Sequence, residues 1–202
     1  MAKKSSRIDH KLAPPGWGRY LIALGIIGLV WWIYANSGFG ITRLLNRITD
    51  SAGTVIVVLS FILGPISWKF MPNLDPSEYR KFFGMAGFGL LALHGMLSLS
   101  FSSPYIFNYQ NAIPLVAGVT SLALFSILAA TSSDIVFSGL GYEKWKKIQR
   151  LGYIALAIAL AHFFLVGTGA FANTLLGQAV IALTSAAIIA RIYFVIEGGK
   201  KK

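Results

Sequence analysis

Two histidines carry the chemistry that this sequence offers. His94 and His162 each lie inside a long apolar stretch, where an ionisable side chain is costly and marks a functional site by default. His94 lies 13 residues beyond Lys81, and His162 lies 12 beyond Arg150. At 1.5 Å of rise per helical residue these are depths of about 20 and 18 Å, so the two imidazoles are expected at one height. Neutral imidazole is the commonest protein ligand for a metal, and two of them on parallel-running helices suit the axial positions of a haem iron. The plainer alternative is that each ring only hydrogen-bonds a neighbouring helix. A proton relay needs Asp or Glu partners, and the apolar stretches offer none: Asp134 and Glu197 fall at stretch ends, and His10 in a charged tail. Cysteine is absent, which removes disulfides, Cys-bound zinc, iron–sulfur clusters and covalently attached haem.

The elements that must position these rings are membrane spans. The 202 residues are 55% hydrophobic and only 12% charged, about half the charge of a typical soluble domain. Mean hydropathy is +0.66, which excludes both disorder and an ordinary water-soluble domain. A spanning helix needs about 20 mostly apolar residues. Six blocks qualify, near 18–35, 51–68, 82–101, 113–131, 148–167 and 174–195. The expected fold is therefore all-α, a six-helix integral membrane bundle in one domain over 1–202, with sequence neighbours packed as antiparallel hairpins. The first block is too long for a signal-peptide core and lacks an A-x-A site, so it reads as an uncleaved span. Neither repeat symmetry nor interrupted spans, the marks of a small transporter, are evident.

Orientation follows from the Lys and Arg residues, 18 in all. One side collects Lys3, Lys4, Arg7, Lys11 and Arg19, then Lys69, Arg80 and Lys81, then Lys144, Lys146, Lys147 and Arg150, and finally Arg191 and Lys200–Lys202. Only Arg43 and Arg47 fall on the other side. The positive-inside rule then puts both termini in the cytoplasm. The net charge of +11 reads as topogenic, with lipid and not nucleic acid as the expected partner. The uncharged loop with Tyr105, Phe107 and Tyr109 is either an outer docking surface or an interfacial aromatic belt.

Several segments carry a family resemblance: Tyr79-Arg-Lys-Phe-Phe-Gly through Leu93-His94, Thr131-Ser-Ser-Asp134, Trp145-Lys-Lys-Ile-Gln149-Arg150-Leu, Tyr153 and Ala161-His162-Phe163. Together they resemble the ferric reductase-like transmembrane domain family. Within it they look most like the haem-binding membrane subunits of bacterial periplasmic methionine sulfoxide reductase systems. The resemblance implies a b-type cytochrome subunit of the bacterial inner membrane. It is an electron-transfer component rather than a complete enzyme. Larger members of the family hold two stacked haems between spans three and five, each span supplying two histidines. His94 and His162 match the outer pair. The inner positions fall near Arg80 and at Gln149, neither of which ligates haem iron, so one bis-histidine haem b is expected.

Larger members also carry a flavin and nicotinamide domain, whereas this chain ends at Lys202 without a Gly-rich nucleotide fingerprint. Electrons are therefore expected from quinol in the bilayer or from a separate cytoplasmic flavoprotein. The expected acceptor is a periplasmic reductase or another extracytoplasmic protein. Arg43 and Arg47 are candidates to pair with haem propionates, and Arg80 and Gln149 to line an inner site for FMN or a quinone headgroup. The competing expectation is a haem-free structural or assembly subunit with the same fold.

Overall fold

A computed structural model of the chain describes residues 16–70, 75–101, 112–166 and 173–199. The aromatic loop with Tyr105, Phe107 and Tyr109, the basic tail with His10, and Lys200–Lys202 lie outside the described residues. The described residues form α1 (Gly18–Ala35), α2 (Ile41–Phe70), α3 (Ser77–Phe101), α4 (Ala112–Ala130), α5 (Asp134–Leu140), α6 (Tyr142–Gln149), α7 (Leu151–Leu165) and α8 (Leu175–Gly199). None of them is in a strand. Six segments are long and apolar enough to cross a membrane: 18–35, 41–67, 77–100, 112–130, 142–165 and 175–194. The chain is an all-α, multi-pass membrane protein.

The second span departs from expectation at its start. Apolar averaging places that start near 51, yet α2 begins at Ile41 and takes Arg43, Asn46, Arg47 and Asp50 into the helix. The cause is a stripe one turn apart, Leu44, Ile48 and Ala52, which packs on Val30 and Tyr34 of α1. That face holds the polar turn in helical form against its low hydropathy. The α1–α2 connection is correspondingly tight. Ser37 donates to the Tyr34 carbonyl through its backbone N–H at 3.0 Å and through Oγ at 2.6 Å. Gly38 then turns the chain at φ 69°, a left-handed conformation that favours glycine.

α2 is the central helix. More than half of its span is buried, whereas no more than 22% of any other span is. α3 crosses it most closely at Gly87, where an added Cβ would lie 2.6 Å from the Val57 nitrogen and 2.9 Å from the Gly53 carbonyl. Small residues permit such backbone approach, which drives helix association where lipid offers no hydrophobic incentive. Pro65 lies inside α2 and removes the N–H that would bond the Phe61 carbonyl. Tyr153 of α7 supplies the missing donor, its hydroxyl lying 3.4 Å from that carbonyl.

The basic helix ends converge at one end of the bundle. Arg19 pairs with Glu78 at 3.0 Å and Lys81 with Asp134 at 2.8 Å, while Lys69 lies 5.1 Å above the Tyr193 ring. Arg43 and Arg47 lie on the opening turns of α2, at its opposite end from Lys69.

Candidate functional site

Antiparallel registers between helix pairs set the site. Along α2 and α3, Asn46 meets His94, Gly53 meets Gly87, and Ser60 meets Arg80. These contacts recur at seven-residue steps, the spacing of a coiled-coil seam. α4 makes a similar series with α7 and, at its far end, with Gln149 of α6, where the last step on the facing side is six residues. Pro114 meets His162 at 2.8 Å, Ser121 Oγ donates to the Ala155 carbonyl at 2.9 Å, and the Leu128 carbonyl accepts from Gln149 at 3.4 Å.

Each imidazole is thus held by a backbone carbonyl of the facing helix. His94 Nδ1 lies 3.2 Å from the Asn46 oxygen, and Ser98, one turn on, donates to Asn46 Oδ1 at 3.2 Å. His162 Nδ1 lies 2.8 Å from the Pro114 oxygen. A carbonyl only accepts, so in each neutral ring Nδ1 carries the hydrogen and Nε2 is the free base. That is the tautomer and support that orient metal-ligating histidines. Gly118 makes the second contact possible: a Cβ there would lie 2.9 Å from His162 Cε1 and 3.0 Å from Nδ1. Both rings are half-buried.

Two nitrogen donors are too few for a bare ion, and no cluster of three or more His, Cys, Asp or Glu that could hold one occurs among the described residues. They suit a group that brings its own equatorial ligands, as a porphyrin does. The residues present therefore fit haem. The small residues near the two histidines serve helix packing. Gly84 and Gly87 admit α2, with Ser60 Oγ at 3.3 Å and the Gly53–Val57 turn respectively, and Gly95 faces Leu122 at 3.2 Å. Ala155 is fully buried against the core.

Arg80 and Gln149 form a second layer. Each lies near the opposite end of its helix pair from the histidine and, like it, bonds a backbone carbonyl of α2 or α4, fourteen residues along from the histidine's partner. Arg80 Nε donates to Ser60 at 3.2 Å; Gln149 Nε2 donates to Thr131 Oγ1 at 3.2 Å and to Leu128. Both line one cavity of about 220 Å³, together with Ser60, Lys81, Phe88 and Trp145. α5 and α6 close over it, with the Phe137 and Trp145 rings 5.4 Å apart.

Arg43 and Arg47, the candidates for haem propionates, have different surroundings. The exposed Arg43 lies 4.7 Å above the Phe39 ring, while Arg47 is half-buried within electrostatic range of Tyr34.

Sequence reasoning missed Asp50. The expectation that only two ionisable residues lie deep in the bundle is incorrect, because α2 begins ten residues early and buries Asp50 at 7% exposure. Its available signal was the i, i+4 spacing of Leu44, Ile48 and Ala52 around it. No protein-family model matches the chain, and no curated protein matches it. The fold is that of a six-span helical membrane protein in which two of the spans each carry an imidazole held by a carbonyl of the facing helix.

Proposed function

We propose that the chain is a membrane-embedded b-type cytochrome subunit that carries electrons to an extracytoplasmic acceptor, in the manner of the ferric reductase-like transmembrane domain family it resembles. One observation supports the reading: two imidazoles on separate helices are each held through Nδ1 by a backbone carbonyl of the facing helix, which leaves Nε2 as the unprotonated nitrogen of each ring. His94 and His162 are the residues that would hold the haem iron. Haem, when bound, supplies one-electron redox chemistry between ferric and ferrous iron. The chain fixes both rings through their Nδ1 hydrogen bonds, the kind of support that orients an iron-ligating histidine and tunes its metal. Arg47, half-buried at the outer end of α2, is the better placed of the two outer arginines to meet a haem propionate.

The inner cavity supports electron entry. At about 220 Å³ it is somewhat smaller than common ligand pockets of roughly 300 Å³ and more, a volume suited to a single ring system. Arg80 keeps guanidinium donors beyond the one bonded to Ser60, and these suit the carbonyl oxygens of a quinone headgroup or of the FMN ring. The positive-inside pattern puts this cavity toward the cytoplasm and the histidines toward the outside of a bacterial inner membrane.

The test is a purification in detergent from haem-replete cells, followed by addition of a reduced quinol analogue. The reading expects a red protein with a low-spin reduced-minus-oxidised spectrum, reduced by the quinol more slowly in Arg80→Leu. A colourless protein would leave a haem-free structural subunit as the function.

A further inference from the structure

Asp50 has no part in the function so far assigned. It lies in the interior of α2, at 7% exposure, in a segment long and apolar enough to span a membrane. A carboxylate there is expensive, and its retention calls for a function. Its place on the helix is specific. Asp50 follows Asn46 by four residues, one turn on, and Asn46 supplies the carbonyl that holds His94. Side chains on a helix lean toward its N-terminus, which directs Asp50 back toward the level of that bond. Tyr34 is tied to Ser51, the residue next to Asp50, at 3.4 Å. Arg47, three residues earlier on the same helix, is the nearest cation in sequence, and His94 is the titratable group that α3 brings to this level.

We propose that Asp50 is the internal counter-charge of the paired-imidazole centre, a positioning residue that stabilises the oxidised form of the bound group and lowers its midpoint potential. The inference rests on the haem reading above. A bis-imidazole ferric haem carries one more positive charge than the ferrous form, and an anion inside a low-dielectric bundle favours the more positive state. No atom is transferred: the electron lost on oxidation leaves for the acceptor, and the carboxylate stays where α2 holds it. A purely structural Asp50 would change stability and leave the redox equilibrium alone.

The experiment is spectroelectrochemical titration of the haem-loaded full chain in lipid nanodiscs, comparing wild type, Asp50→Asn and Asp50→Glu. The expected result is a shift of at least tenfold toward the reduced form in Asp50→Asn, about 59 mV for one electron, with Asp50→Glu within threefold of wild type. If Asp50→Asn does not accumulate, Asp50→Ser is read by the same criterion. Full haem content with a potential within twofold of wild type in the neutral variant overturns the proposal. Loss of haem from a folded neutral variant also overturns it, since Asp50 would then act in binding. A colourless wild type is a separate result that removes the haem reading and this inference with it.

Discussion

Gly118→Ala separates support of the histidine from stability of the fold. The added methyl carbon would lie 2.9 Å from His162 Cε1 and 3.0 Å from Nδ1. Ordinary carbon–carbon contact begins at about 3.5 Å, so the ring must retreat by roughly 0.6 Å. Its bond to the Pro114 carbonyl, now 2.8 Å, then lengthens or bends. Interhelical hydrogen bonds in membranes contribute about 0.6 kcal/mol on average, and alanine favours a helix over glycine by about 1 kcal/mol. The two changes nearly cancel, so the thermal midpoint should move by only a few degrees. Ligand affinity should respond more strongly, because weakening the support of a metal-ligating histidine typically costs 10–100-fold. The assay is haem titration of apoprotein in nanodiscs, followed at the Soret band, beside thermal unfolding by circular dichroism. Wild-type haem affinity in a stably folded Gly118→Ala would refute the argument that Gly118 and Pro114 orient His162.

Two further perturbations address the frame. Gly87→Leu drives a side chain into Val57 and the Gly53 carbonyl; overpacking of this kind should cost about 3 kcal/mol or more, seen as loss of the monodisperse peak in fluorescence-detected size exclusion. Tyr153→Phe removes the donor to the carbonyl that Pro65 leaves unpaired; a loss near 0.6 kcal/mol is expected in steric-trap unfolding, and a loss above 3 kcal/mol would mean Tyr153 does more than this.

The parts of the fold set by hydropathy were legible in the sequence. α1 runs from Gly18 to Ala35 as the apolar block does, because no charged residue follows Arg19 within it. The beginning of α2 was not legible, since Arg43, Asn46, Arg47 and Asp50 depress the average while Leu44, Ile48 and Ala52 keep the turn folded against α1. The cost of that misreading was Asp50, which falls just outside the expected span although the bundle buries it. His94 and His162 could be chosen from the sequence because an imidazole in a span is rare, but their partners could not. Asn46 and Pro114 act through main-chain oxygens, which every residue has. The heptad register joining Asn46 to His94 and Ser60 to Arg80 emerges only when two helices are laid side by side.

The most direct test of the paired-imidazole account is haem stoichiometry, by pyridine haemochrome against protein mass, in wild type, His94→Ala and His162→Ala. The account predicts one haem per wild-type chain with low-spin Soret and α bands, and loss of that spectrum in each single variant. Full haem with unchanged bands in either variant would contradict it, because the iron would then be held by some other pair.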